Sequence, residues 1–177
     1  MTLLDAPVFD ELRARRRRNI AYIATGVLAV LFVVSWLISG RPVDWPWNWP
    51  AHLFGRITVN RFLTAVEQND LKKAYGIWVH DPNWEQNKAK HGVYPFERFE
   101  GDFGSNSSQN TYGAFHSHEI ATAAMYGNTL LVAILINGRK SDALDLSYEP
   151  KTRQLSFGPP DAELCLPGST DAGCMRR

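Results

Sequence analysis

Cysteine is scarce in this chain. Only Cys165 and Cys174 occur among 177 residues, too few for a framework of bridges that would hold a fold without a core. Charge of one sign is also missing: 19 Lys and Arg stand against 18 Asp and Glu, for a net +1. That balance argues against a general nucleic-acid binder, which shows a basic face. No catalytic motif and no internal repeat stands out. Polar low-complexity composition is absent too, since hydrophobic residues make up 45% and charged residues 21%, which excludes wholesale disorder. The length fits one domain with accessories. A mean hydropathy of −0.26 is too polar for a polytopic membrane protein, but an average can hide one span.

One span is there. Residues 20–39 read IAYIATGVLAVLFVVSWLIS and carry no charge. At 1.5 Å per residue they reach about 30 Å, the thickness of a hydrocarbon core. Arg13, Arg15, Arg16, Arg17 and Arg18 precede the run, and only Arg41 and Asp44 follow closely. The positive-inside rule keeps such an N-terminus in the cytoplasm and sends the rest across. A cleaved signal peptide has a shorter apolar core, about 7–15 residues, and an A-x-A-like site. Leu37-Ile38-Ser39 is a poor one, so the segment reads as an uncleaved signal anchor. Because it is apolar on every face, it does not read as a soluble core helix. The arginine run is an orientation signal and an anionic-lipid contact. Trp36, Trp45, Trp47 and Trp49 fall where amphipathic indoles favour the membrane interface.

The chain then divides into a basic cytoplasmic tail (1–19), a transmembrane helix (20–39), a Trp/Pro-rich connector (40–56), an α+β domain (57–158) and a C-terminal tail (159–177). In the connector Pro42, Pro46 and Pro50 block helix continuation and favour extended backbone. The expectation is a semi-rigid spacer along the membrane face. Of the 19 basic residues six precede position 51, leaving 13; of the 18 acidic residues four do, leaving 14. The outer part is therefore near neutral and has no electrostatic reason to seek nucleic acid.

Within it, Val59, Phe62, Leu63 and Val66 follow the i, i+3, i+4, i+7 spacing of an amphipathic helix, and Leu71, Ala74, Tyr75 and Trp78 repeat it. Asn69-Asp70 breaks the phase, with Asp70 placed to cap the second helix. A third helix begins at Pro95, carries Phe96, Phe99 and Phe103 on one face, and ends at Gly104. A polar loop follows, and its Asn106-Ser107-Ser108 fits a glycosylation acceptor in a eukaryotic secretory route. Residues 116–125 then read as a strand. Gly127-Asn128 turns the chain, and residues 130–136 form an apolar central strand. Asn137-Gly138 is a hairpin signal. Leu144 and Leu146 belong to the returning strand. After a turn at 149–152, Leu155 and Phe157 make a last one. Helices followed by an antiparallel meander give an α+β class, with a twisted sheet that can wrap the helices and leave a concave pocket.

VNRFLTAVEQNDLKKAYGIW, then YPFERFEGDFG, then the meander resemble the nuclear-transport-factor-2-like superfamily over about residues 57–158. The resemblance implies a cone-like domain of two to three helices packed on a curved antiparallel sheet. It marks fold and not activity, since that superfamily includes isomerases, dehydratases, small-molecule binders and assembly modules. Its enzymes place Asp, His or Tyr inside the cone. Tyr75, Tyr94, His116 and His118 are the pocket candidates here, with Tyr112, Asp142 and Asp145 behind them.

His116 and His118 would share one strand face about 6.6 Å apart and are weak metal candidates, with His80, Asp81 or His91 as a third ligand. Phe96, Phe99, Trp78 and Trp84 read as core. Cys165 and Cys174 can bond in an oxidising envelope compartment, closing a short loop worth about 2–3 kcal/mol. No cofactor is indicated. Three functions follow. The first is a non-enzymatic interaction or assembly module on a single-pass inner (plasma) membrane protein, periplasmic or otherwise extracytoplasmic, with a protein partner or a second copy; its layout resembles the bitopic assembly factors of type IV secretion systems. The second is a small-molecule binding domain using the cone pocket. The third is a tethered isomerase or dehydratase.

Overall fold

The structure, a computed structural model, describes residues 11–39, 44–139, 143–160, 164 and 166. A long helix α1 (Glu11–Ser39) is followed by a 3-10 turn (Pro46–Asn48). Helices α2 (Trp49–Glu67), α3 (Leu71–Trp78) and α4 (Phe96–Phe103) come next, with a second 3-10 turn (Lys88–His91) before α4. Four strands complete the chain: β1 (His118–Tyr126), β2 (Thr129–Ile136), β3 (Leu144–Tyr148) and β4 (Leu155–Phe157). All pairs are antiparallel and the sheet order is β1-β2-β3-β4. The helices-then-meander expectation holds.

α1 is long and apolar enough to cross a membrane from Leu12 to Ile38. It is helical from Glu11, the first described residue, so the arginine run is helical and the element reaches well before the expected boundary at residue 20. Its apolar side chains, Leu28 and Phe32 among them, stand exposed.

The connector differs from expectation. Residues 49–56 are helical and belong to α2, because Pro50 falls in the first turn, where its missing N–H costs nothing and its fixed φ suits the helix. Pro46 likewise opens the 3-10 turn. From Asp44 onward the connector is therefore a turn that leads into α2 and not an extended spacer.

The Asn-Asp break is built as its residue types dictate. Asn69 takes a φ of 56°. The Asp70 N–H donates to the Ala65 carbonyl and the Asn69 N–H to the Val66 carbonyl, both at 2.9 Å, which closes α2 in a Schellman motif. The Asp70 carboxylate then accepts from the Lys73 N–H at 3.1 Å and caps α3.

The core lies between the helices and one face of the sheet. Val59, Phe62, Leu63 and Val66 of α2 meet Leu130, Val132, Ile134 and Ile136 of β2, together with Leu144, Leu146 and Tyr148 of β3. Alternate β2 residues Leu131, Ala133 and Leu135 are buried on the other face, flanked by Thr122, Asp145 and Ser147. α2 lies close against the sheet at Gly55. A Cβ there would stand 2.6 Å from Leu130 Cδ2 and 3.0 Å from Tyr148 Cδ1, both on buried side chains. Gly55→Val should overpack this contact and cost about 1–3 kcal/mol. Urea unfolding of the two proteins side by side tests this, and equal midpoints would contradict it.

β1 starts two residues later than expected. The N–H groups of His116 and Ser117 are taken by Asn137 Oδ1, at 2.8 and 3.2 Å. The Asn137 amide donates to the Ala114 carbonyl at 2.9 Å, and its own N–H donates to the Ser117 carbonyl. Asn137 and Gly138 adopt φ of 53° and 71°, as the turn signal requires. Pairing with β3, however, begins only at Ile134 and Leu144, so the connection is longer than a two-residue hairpin. Asn137→Ala removes three side-chain hydrogen bonds and a residue tolerant of positive φ. It should cost about 1–2 kcal/mol, with Asn137→Asp intermediate because it loses the donor alone. Thermal melts of the three proteins give the ranking.

Candidate functional site: the junction behind the apolar helix

A part-buried polar cluster lies where α1 gives way to α2. Asp44 Oδ1 accepts from the Trp45 N–H at 2.7 Å and from the Asn48 amide at 2.8 Å. Its Oδ2 faces His52 Nε2 at 2.9 Å. His52 is fully buried, and its Nδ1 has no hydrogen-bond partner. An unpaired buried N–H is costly. The arrangement therefore favours the tautomer that donates Nε2–H to Asp44 and leaves Nδ1 bare. Partial burial pushes the Asp44 carboxyl up, but the hydrogen bonds from His52, Asn48 and the Trp45 N–H outweigh it and hold the group below its ordinary value. Four residues past Trp45, the Trp49 indole donates to Ser35 Oγ on α1 at 3.1 Å. Ser35 is itself buried. Asp44 thus folds the connector, His52 fixes it to α2, and Trp49 ties α2 to the last turns of α1.

The tryptophans divide between two roles. Trp49 is half-buried in this junction, while Trp36 is exposed on α1. Trp45 and Trp47 are 65% and 71% exposed and stack on each other with centroids 5.1 Å apart. Amphipathic rings left in the open beside an apolar helix suit a membrane interface.

The pocket candidates are spread apart. Tyr75 is a core residue: its ring meets Trp84, Phe96 and Phe99 edge-on, and its hydroxyl donates to the Tyr94 carbonyl at 2.7 Å. Burial, and then the nearby Glu97, raise its pKa. Tyr94 is half-buried among Trp78, Phe99 and Phe157. Its hydroxyl donates to Asp102 Oδ2 at 2.6 Å. Burial raises its pKa, and Asp102 raises it further, so Tyr94 serves as a phenol donor and not as a base. Tyr112 packs against Phe115 with its hydroxyl toward the Ala143 carbonyl.

His116 and His118 do not form a pair of ligands. His116 precedes β1 and is exposed. His118 turns onto α2, with Nδ1 2.7 Å from Glu67 Oε1 and Nε2 2.7 Å from Asn60 Oδ1. Of the other proposed ligands, His80 is exposed. Asp81 and His91 belong to a separate staple, in which Asp81 accepts from Asn83, Asn87 and His91. Among the described residues no group of three His, Cys, Asp or Glu could hold a metal ion. Asp142, Cys165 and Cys174 lie outside the described residues.

The space between the helices and the sheet is occupied by rings. Phe62 meets Trp78, Phe99 and Phe103 at centroid distances of 5.3, 6.0 and 5.2 Å. Phe103 continues to Phe115 and stacks on Phe157 at 5.7 Å. Trp84 stacks on Phe96 at 4.8 Å and donates its indole N–H to the Lys72 carbonyl. Phe99, Trp78 and Trp84 therefore pack as core with Phe96 against them, as the sequence reading expected.

Sequence reasoning missed Asp44 and His52, and it read Asn137 as a turn residue without its side-chain bonds to residues 114–117. The signal for the first two was an Asp and a His eight residues apart around D-W-P-W-N, which becomes readable only once the prolines are placed inside turns. No protein-family model, curated protein or solved structure matches the chain.

Proposed function

We propose that this chain is a single-pass membrane protein whose domain beyond the span is a non-enzymatic protein-interaction or assembly module. The observation that carries this reading is the aromatic filling between the helices and the sheet. The volume that a substrate or ligand would need is taken by Phe62, Trp78, Phe99, Phe103 and their neighbours. The polar candidates are also engaged elsewhere, Tyr94 on Asp102 and His118 on Glu67 and Asn60.

Membrane anchoring is supported by the length and apolarity of α1. The arginines before it favour a cytoplasmic N-terminus and an extracytoplasmic, periplasmic-type location for the domain. The order of a helix pair, a third helix and a meander supports a nuclear-transport-factor-2-like domain. A module of that kind seated directly on its anchor suits an assembly role, with a protein partner or a second copy as its target.

Mild-detergent extraction from native membranes, followed by sizing and mass spectrometry, tests the reading. The chain should migrate with constant partners or as a defined oligomer. Tyr94→Phe and His118→Gln should leave that assembly intact, because neither side chain is used at a reactive centre. Migration as a lone monomer would contradict the proposal, and so would loss of a bound small molecule in either variant.

A further inference from the structure

We propose that the outward face of the first half of α2 lies against lipid and seats the domain on the bilayer surface. Leu53, Phe54 and Ile57 are 45%, 58% and 46% exposed. Their spacing puts them on one side of the helix, away from Gly55, Val59 and Phe62, which face the sheet. Three exposed large apolar side chains in two turns form a patch rather than scattered exposure. The stacked Trp45 and Trp47 stand exposed just before α2, and Trp49, one turn before Leu53 on the helix, joins the patch through Ser35 to the end of the apolar helix. That hydrogen bond fixes the start of α2 at the level of the last turns of α1.

The stripe is also limited in length. Beyond Ile57 the exposed positions become Asn60, Arg61 and Gln68. From Trp49 to Ile57 the helix rises about 12 Å, comparable to an interfacial layer plus the shallow acyl region. Arg61, one turn beyond Ile57, is the first cation on this side and suits the phosphate layer. The exposed large apolar side chains of α2 are confined to the turns beside its tie to α1, which favours the lipid around that anchor over a protein partner or a second copy. The inference rests on the single-pass reading above.

The test uses the full chain, with Cys165 and Cys174 changed to Ser, reconstituted in phosphatidylcholine vesicles. Single cysteines at Leu53, Phe54 and Ile57 carry an environment-sensitive fluorophore; Leu28 in α1 and Gln68 and Val93 serve as references. Lipids bearing a nitroxide near the headgroup should quench the first three probes several-fold more than those at Gln68 and Val93, with blue-shifted emission. A deep nitroxide should quench the probe at Leu28. If Leu28 responds while 53, 54 and 57 behave like 68, the anchor stands and this proposal is overturned. Shielding from aqueous quencher without lipid quenching, together with cross-linking between copies, would assign the face to a second copy and also overturn it. If Leu28 does not respond to lipid, the membrane reading itself fails and takes this inference with it.

Discussion

Phe62→Ala should cost the domain about 3–5 kcal/mol, a large share of the 5–15 kcal/mol that a typical domain has. Phe62 is fully buried and is the ring on α2 that touches Trp78 of α3 and both Phe99 and Phe103 of α4. Its removal leaves a void that three helices would have to close together, and close-packed rings relax only in part. Phe62→Leu keeps most of the volume and should cost clearly less. Tryptophan fluorescence during urea unfolding of the detergent-solubilised chain reads both. A loss below about 1 kcal/mol for the alanine variant would mean that the aromatic cluster is not close-packed, and a cavity would return to consideration.

Asp44→Ala should cost about 2–4 kcal/mol, more than exposed carboxylates usually contribute. It removes the acceptor of three hydrogen bonds and leaves fully buried His52 with both ring nitrogens unpaired. A double-mutant cycle with His52→Ala should show strong coupling, since removing the imidazole also removes the orphaned group. The pH dependence has a definite sign. The folded-state pKa of Asp44 lies below its ordinary value of 3.8. Its contribution is therefore complete above that value and is lost as pH falls through the lower, folded-state pKa. Asp44→Asn should flatten the acid limb of the stability curve in that window. An unchanged limb would contradict the assigned hydrogen bonds.

Elements carried by local spacing were legible in the sequence. The Asp70 cap of α3, and Pro95 and Gly104 around α4, each specify their element within a few residues, because the interactions involved span three or four positions; the apolar period of α2 marked its part from Val59 on but not its first turns. The meander was readable for the same reason, from alternation and turn residues. Contacts between distant segments were hidden. Asn137 acts on residues 114–117, twenty or more positions earlier, and His118 finds its partners on α2, more than fifty positions away. The connector was misread because three prolines were weighed as helix breakers, when Pro46 and Pro50 sit at helix starts. The pocket candidates were chosen by residue type and the metal candidates by strand spacing, and the fold sends Tyr75 into the core, His116, which precedes β1, to solvent and His118 to a helix.

Placement across the membrane is the claim on which the rest depends, and a thiol-accessibility assay tests it directly. Val93 is 96% exposed, so a single cysteine there, with Cys165 and Cys174 changed to Ser, reports where the domain lies. In sealed right-side-out vesicles a membrane-impermeant maleimide should label Val93→Cys fully, and the protein should stay in the membrane after alkaline carbonate washing. Labelling only in inverted vesicles, or release of the chain by carbonate, would contradict the account.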